Sequence, residues 1–192
     1  DDFSTDGTRD ILAKLHIPDV KVILQPKNMG KGAAIRSGLE KATGEVVVPQ
    51  DSDLELDPYI IVDLLNYYKK NQAQAVYGSR FRDAKFSFNP YFLANYILSL
   101  FTSLLFFRRV TDMETCYKMV NRELLLSLNL KANRFDIEPE VTAKLLKKKI
   151  HIKEYPIHLH YKPRSTKEGK KINLGDAFMA VWTLIKVRLT NK

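Results

Sequence analysis

The chain of 192 residues carries one cysteine, Cys116, so no internal disulfide framework can brace it, and that economy suits a reducing compartment. Eight glycines and eight prolines are scattered without forming a linker, and no repeat or low-complexity tract is visible. Solenoids and linker-joined modules are therefore excluded, and residues 1–192 read as one domain with enough chain to bury a core. No secretory signal opens the sequence, because residue 1 already stands in an acidic, turn-like stretch. No apolar run reaches the roughly 20 residues of a membrane span. The longest, Tyr91–Phe107, is interrupted by Asn95, Ser99, Thr102 and Ser103, which form one polar stripe on a helix. Flanked by Arg108-Arg109, residues 88–109 fit a helix lying in a membrane interface, and a buried core helix also fits.

What is present is an excess of positive charge, +9 overall, and most of it is local. Between Lys144 and Lys171 stand ten lysines and arginines against two glutamates. Such a patch attracts nucleic acid, anionic headgroups or a phosphorylated substrate, or it is simply a solvated basic face.

The apolar pattern alternates between strand and helix. Val20–Leu24 predicts a short strand, Gly32–Ala42 a helix ended by Gly44, and Glu45–Pro49 a strand buried on both faces of a parallel sheet. Asp57-Pro58 opens a further helix, and Ala75–Gly78 a further strand. This order predicts an α/β core with a parallel sheet. The stretch Asp1–Thr8 has the look of a loop following a first strand that is absent, so a strand is expected upstream.

Asp51-Ser52-Asp53 follows the Glu45–Pro49 strand, at the strand end where ligands bind in open α/β sheets. Two carboxylates one residue apart, with Glu55 beyond them, suit Mg²⁺ or Mn²⁺ bridging a diphosphate; an acidic turn capping the next helix is the plain alternative. Asn28-Met29-Gly30-Lys31-Gly32 leads into a helix like a phosphate cradle, but lacks the length and the Lys-Ser/Thr ending of a Walker A loop, which disfavours a kinase or NTPase. Arg80 in Gly78-Ser79-Arg80 is placed for bidentate phosphate contact. His158 and His160 share a strand face without a third ligand.

The blocks DDFSTDGT, NMGKGAAIRSGLEKATGEVVVPQDSDLELDP, VYGSRF, TDMETCYKMV, FDIEPEVTAKLL and KEGKKI together resemble the dolichol- and polyprenyl-phosphate mannosyltransferases, inverting family 2 glycosyltransferases. The resemblance runs from Asp1 to about Leu189. It implies a GT-A fold, a Rossmann-like, mostly parallel sheet flanked by helices. It further implies transfer of a hexose, with mannose from GDP-mannose favoured over UDP-glucose, to dolichyl or polyprenyl phosphate with Mg²⁺ or Mn²⁺.

By the same resemblance Asp1, Asp2 and Lys31 contact the donor nucleotide. Asp53 and Glu55 hold the metal, while Asp51 lies nearer the sugar and ribose. Arg80 lies near both phosphates, and Arg109 holds the lipid phosphate, with Arg108 standing where a small residue is usual. Arg164 and Lys171, in a basic acceptor loop over 162–172, add further acceptor-phosphate contacts.

Asp112 is the carboxylate available as a base, or else a salt-bridge partner that orients the arginines. Glu138 and Glu140, at a helix start, lie close to the site by family position, and Trp182 is either an interfacial anchor or a core residue. The basic segment then faces the lipid phosphate and an anionic membrane surface, which predicts peripheral or anchored placement on the cytoplasmic face. A nucleic-acid partner is not expected, because the acidic cluster would repel it.

Overall fold

The computed structural model describes residues 1–53, 55–83, 90–158 and 174–190. Four strands form one sheet in the order β1-β3-β2-β4: β1 (Val46–Val47), β2 (Ala75–Ser79), β3 (Lys118–Asn121) and β4 (Ile152–Pro156). Around it lie α1 (Thr8–Ala13), α2 (Lys31–Lys41), α3 (Ile60–Lys70), α4 (Pro90–Phe106), α5 (Arg122–Ser127), α6 (Ile137–Lys147) and α7 (Leu174–Leu189).

Fully buried β2 shows why the layers stack as they do, since successive side chains on a strand point to opposite faces. Ala75 and Tyr77 pack with Val120 against Phe106 of α4, Ile137 and Leu145 of α6, and Leu184 of α7. Val76 and Met119 point the other way, onto Leu64 and Tyr68 of α3. Each fully buried Leu or Val adds about 1.5–3 kcal/mol to this α/β/α arrangement.

The expected α/β layering is present, but the described sheet is mixed rather than mostly parallel. Strands β2 and β4 are parallel, from Ala75 opposite Ile152 to Ser79 opposite Pro156. Strand β3 runs antiparallel to both β1 and β2, and so carries the chain back between them. The Glu45–Pro49 strand shortens to Val46–Val47, half-buried at the end of the described strand order instead of enclosed on both faces.

Val20–Leu24 forms no ladder among the described residues. Asp1 lies alongside it, its backbone nitrogen donating to the Ile23 carbonyl at 2.7 Å and its carbonyl accepting from Gln25 N at 2.9 Å. Gly44 does not end α2; the helix stops at Lys41, with Ala42 already extended. Asp57 does not cap α3 directly but anchors the turn before it, its Oδ1 accepting from Tyr59 N at 3.0 Å.

Helix α4 is inside out relative to an ordinary surface helix. Ser99 and Thr102 are 1% and 0% exposed, and their hydroxyls donate to the carbonyls of Asn95 and Leu98. Ser99 Oγ also accepts from Met113 N at 2.9 Å, and Ser103 Oγ from Val110 N at 3.0 Å, so the polar stripe fastens the chain after the helix. The apolar stripe of Leu93, Tyr96, Ile97, Leu100 and Leu104 faces outward.

Gly32 packs against the loop before α6: a Cβ there would stand 2.5 Å from the Ala132 carbonyl oxygen. Gly32→Ala is therefore expected to lower stability by about 1–3 kcal/mol in urea unfolding. Gly38→Ala, exposed in α2 with open space around it, should raise it by about 0.5–1 kcal/mol.

Candidate active site

The acidic loop leaves β1 and is held from beneath by the Tyr117 hydroxyl, which meets the Gln50 side chain and the Asp57 carbonyl. Asp51 Oδ2 accepts from Lys31 Nζ at 2.9 Å, and the same ammonium forms an ion pair with Glu138 Oε1 at 3.0 Å. Glu138 Oε2 in turn accepts from Lys118 Nζ at 2.6 Å, and Lys118 also donates to the carbonyls of Met113 and Thr115. A chain of alternating charges, Asp51, Lys31, Glu138, Lys118, thus links the acidic loop, the start of α2, the start of α6 and β3.

Burial alone would push these charges toward neutrality. For Lys31, the carboxylates of Glu138 and Asp51 outweigh that burial and raise its value further. For Glu138, burial is outweighed by Lys118 and Lys31, and its carboxyl is held below the usual range.

The second half of the site stands at the end of β2. Arg80 grips Asp112 in a fork, Nε to Oδ2 at 2.7 Å and Nη2 to Oδ1 at 2.8 Å, while Arg80 N also donates to Oδ2 at 2.9 Å. Burial would lower the Arg80 value, but the charge and hydrogen bonds of Asp112 prevail and raise it. The Asp112 loop is itself pinned by Glu154 of β4, whose Oε1 accepts from Thr111 N at 2.7 Å and Thr111 Oγ1 at 2.9 Å. Two residues on, burial pushes the Glu114 carboxyl up to about 7, against the pull of Lys118.

The structure brings Lys31, Asp51, Glu138, Arg80 and Asp112 into this region. Asp1 is taken up by Arg9 at 2.8 Å and by Ser4. Asp2 accepts from Met29 N and Gly30 N at 2.7 Å each. That contact corrects the phosphate-cradle reading of Asn28–Gly32: the loop amides are occupied by a carboxylate, and Gly30 and Gly32 serve close packing on Asn133 and Ala132. Arg108 and Arg109 are exposed beyond α4, and Glu140 caps the loop amides of Lys131 and Ala132. Arg164, Lys171, the 162–172 loop and His160 lie outside the described residues; His158 is exposed.

For a metal, no three His, Cys, Asp or Glu side chains among the described residues stand together as a ready cage. The expected trio of Asp51, Asp53 and Glu55 is not preassembled, because Asp51 turns to Lys31 and Asp53 Oδ1 accepts from Glu55 N at 3.1 Å. Oxygen donors of this type still fit Mg²⁺ or Mn²⁺ in the way those ions are commonly held, by one or two carboxylates with substrate phosphates completing the shell.

Sequence reasoning passed over Lys118, Glu114 and Glu154. Lys118 carried a usable signal, a lysine inside the apolar run Cys116–Val120, since a buried lysine is nearly always paired. Glu154 carried none, because its partner Thr111 comes from a distant segment, and Glu114 carried none, because its burial is set by the tertiary packing.

The profile described as Glycosyl transferase family 2 matches residues 1–128. A dolichyl-phosphate beta-glucosyltransferase of Trichomonas vaginalis is 24% identical across 100% of this chain, which spans 60% of that relative's length. A UDP-N-acetylglucosamine–dolichyl-phosphate N-acetylglucosaminyltransferase of Methanococcus voltae is 28% identical over 88% of this chain and 70% of its own. Glucosyl-3-phosphoglycerate synthase of Mycobacterium tuberculosis, solved with Mn²⁺, UDP and phosphoglyceric acid, superposes with a TM-score of 0.68 at 20% identity, covering 99% of this chain and 66% of that one. That likeness establishes the GT-A fold.

Two outcomes follow from the buried charges. Lys118→Met leaves Glu138 short of a cation and is expected to cost about 3–5 kcal/mol in chemical denaturation. Glu114, with a folded value of about 7 above its ordinary 4.5, stabilises the fold below pH 4.5 and loses that contribution as pH rises to about 7. Glu114→Gln should therefore raise Tm relative to wild type at pH 8 and not at pH 4.5.

Proposed function

Because the chain belongs to glycosyl transferase family 2, we propose that it moves a hexosyl group from a nucleoside-diphosphate sugar to a dolichyl or polyprenyl phosphate. The observation that carries this reading is the pairing of an acidic loop at the end of β1 with the Arg80–Asp112 fork at the end of β2. The names of the Trichomonas and Methanococcus relatives support a phosphorylated lipid acceptor, and they favour glucose or N-acetylglucosamine over the mannose first expected, the Methanococcus name with UDP as the carrier.

The acceptor phosphate is an anion at neutral pH and attacks the sugar C1 directly. The new C1–O bond to the acceptor forms as the C1–O bond to the nucleoside diphosphate breaks, with inversion at C1. No strong base is required. This agrees with Asp112, whose two oxygens are committed to Arg80 and which thereby fixes the guanidinium in place. Arg80 faces the meeting phosphates, and Lys31 holds Asp51 in position. Asp51 and Asp53 would hold a divalent cation, Mg²⁺ or Mn²⁺, which when bound offsets charge on the departing diphosphate.

The acceptor's lipid implies a membrane surface. No described helix is long and apolar enough to cross a membrane. The outer stripe of α4, with Leu104 65% and neighbouring Phe107 84% exposed, adjoins α7, where Phe178 and Trp182 are 71% and 54% exposed. We assign this face to the membrane interface, with the protein on its cytoplasmic side.

Full-length protein offered UDP-glucose, UDP-N-acetylglucosamine and GDP-mannose with polyprenyl phosphate and Mn²⁺ or Mg²⁺ should transfer sugar from at least one donor. Absence of transfer in every combination refutes the proposal. Asp53→Ala should reduce the rate by roughly 100-fold or more. In vesicle flotation, Leu104→Glu with Trp182→Glu should weaken binding to anionic liposomes by more than about tenfold; unchanged flotation would remove this face from the interface.

A further inference from the structure

Glu114 plays no part in the chemistry above, and its position is unusual. It follows Asp112, which holds Arg80, by two residues and lies between Met113 and Thr115, whose carbonyls accept from Lys118, so the chain places it between the two halves of the site. Lys118 and Arg80 attract its carboxyl, and Glu138 and Asp112 repel it. Its Oε1 is buried with no hydrogen-bond partner among the described residues. The nearby cations do not fill that vacancy: Lys118 directs its ammonium at Glu138, Met113 O and Thr115 O, and Arg80 directs Nε and Nη2 at Asp112.

The surroundings narrow what could satisfy Oε1. A cation is opposed by Lys118 and Arg80, and an anion by Glu114 itself together with Asp112 and Glu138. What remains is a neutral hydrogen-bond donor. In a nucleoside-diphosphate sugar the hexose is joined directly to the β-phosphate, so a residue beside a phosphate-facing arginine meets the sugar ring and its hydroxyls. We propose that Glu114 accepts a hydrogen bond from a hydroxyl of the transferred hexose through Oε1 and so selects the donor sugar. The inference rests on the sugar-transfer reading and deepens it. A pocket built to pair with a hydroxyl discriminates strongly against a sugar that lacks it, because the buried acceptor is then left unpaired.

Calorimetric titration of the full-length protein with Mn²⁺ tests the assignment. The ligands are UDP-glucose, UDP-N-acetylglucosamine and GDP-mannose, each compared with its own nucleoside diphosphate. For the donor that wild type binds, Glu114→Ala should weaken the sugar nucleotide about tenfold or more, and Glu114→Gln, which keeps an acceptor oxygen, by less. Affinity for the bare nucleoside diphosphate should stay within about twofold in both variants, which also shows that they fold. A deoxy-sugar analogue lacking the recognised hydroxyl should bind wild type and Glu114→Ala alike. Equal donor affinity in all three proteins would overturn the proposal, leaving an ordered water as the partner of Oε1. Parallel weakening of donor and nucleoside diphosphate would overturn it too, by making Glu114 a structural residue. Failure of wild type to bind any sugar nucleotide would refute the sugar-transfer reading itself, and this inference with it.

Discussion

The Lys31 ammonium, held between Asp51 and Glu138, is the contact around which the rest of the site is arranged. It joins the acidic loop to the start of α6 across the sheet's end, and through Glu138 it reaches Lys118 in β3. Removing one member of such a chain leaves its neighbour buried without a counter-charge, which is why the network behaves as a unit. Glu114 stands beside this network without a salt bridge among the described residues, and burial, with the repulsion of Glu138 and Asp112, pushes its carboxyl up to about 7 against the pull of Lys118 and Arg80.

Helix α4 presents a second constraint, resolved in an unusual way. A helix with one polar stripe ordinarily turns that stripe to water. Here the hydroxyls of Ser99, Thr102 and Ser103 face inward, where they donate to the helix's own carbonyls and two of them accept from the backbone of Met113 and Val110. The buried stripe thereby fixes the segment leading to Asp112, and the apolar face is left outward. One helix thus orders the loop that holds Arg80 and leaves an apolar stripe exposed.

Much of this was legible in the sequence, for physical reasons. Ala75–Ser79 and Ile60–Lys70 were readable because an unbroken apolar run and a 3.6-residue stripe survive any tertiary context. Asp51, Arg80 and Asp112 were readable as candidate site residues because they follow strand ends or recur in family blocks, and the structure places each in an ion pair. The pairing of β3 was not legible, since antiparallel insertion between β1 and β2 depends on contacts across about 40 and more residues of sequence. The orientation of α4 was not legible either: periodicity locates a polar stripe but does not say which way it faces.

The glycine motif shows how far a local pattern can mislead. Gly30-Lys31-Gly32 at a helix start has the composition of a phosphate cradle, yet the loop amides before it are bonded to Asp2, and the glycines admit the 132–133 backbone. The cation the site needs there comes from Lys31, whose side chain reaches the acidic loop instead of a phosphate lying on the helix. Close backbone packing at Gly32 brings the loop before α6 against α2, and α6 then presents Glu138 to Lys31. The two glycines therefore act on the site through position: they set the distance between two helices, and that distance places a lysine between two carboxylates. A group held by opposite charges on both sides is fixed in place, and it fixes Asp51 with it at the end of β1.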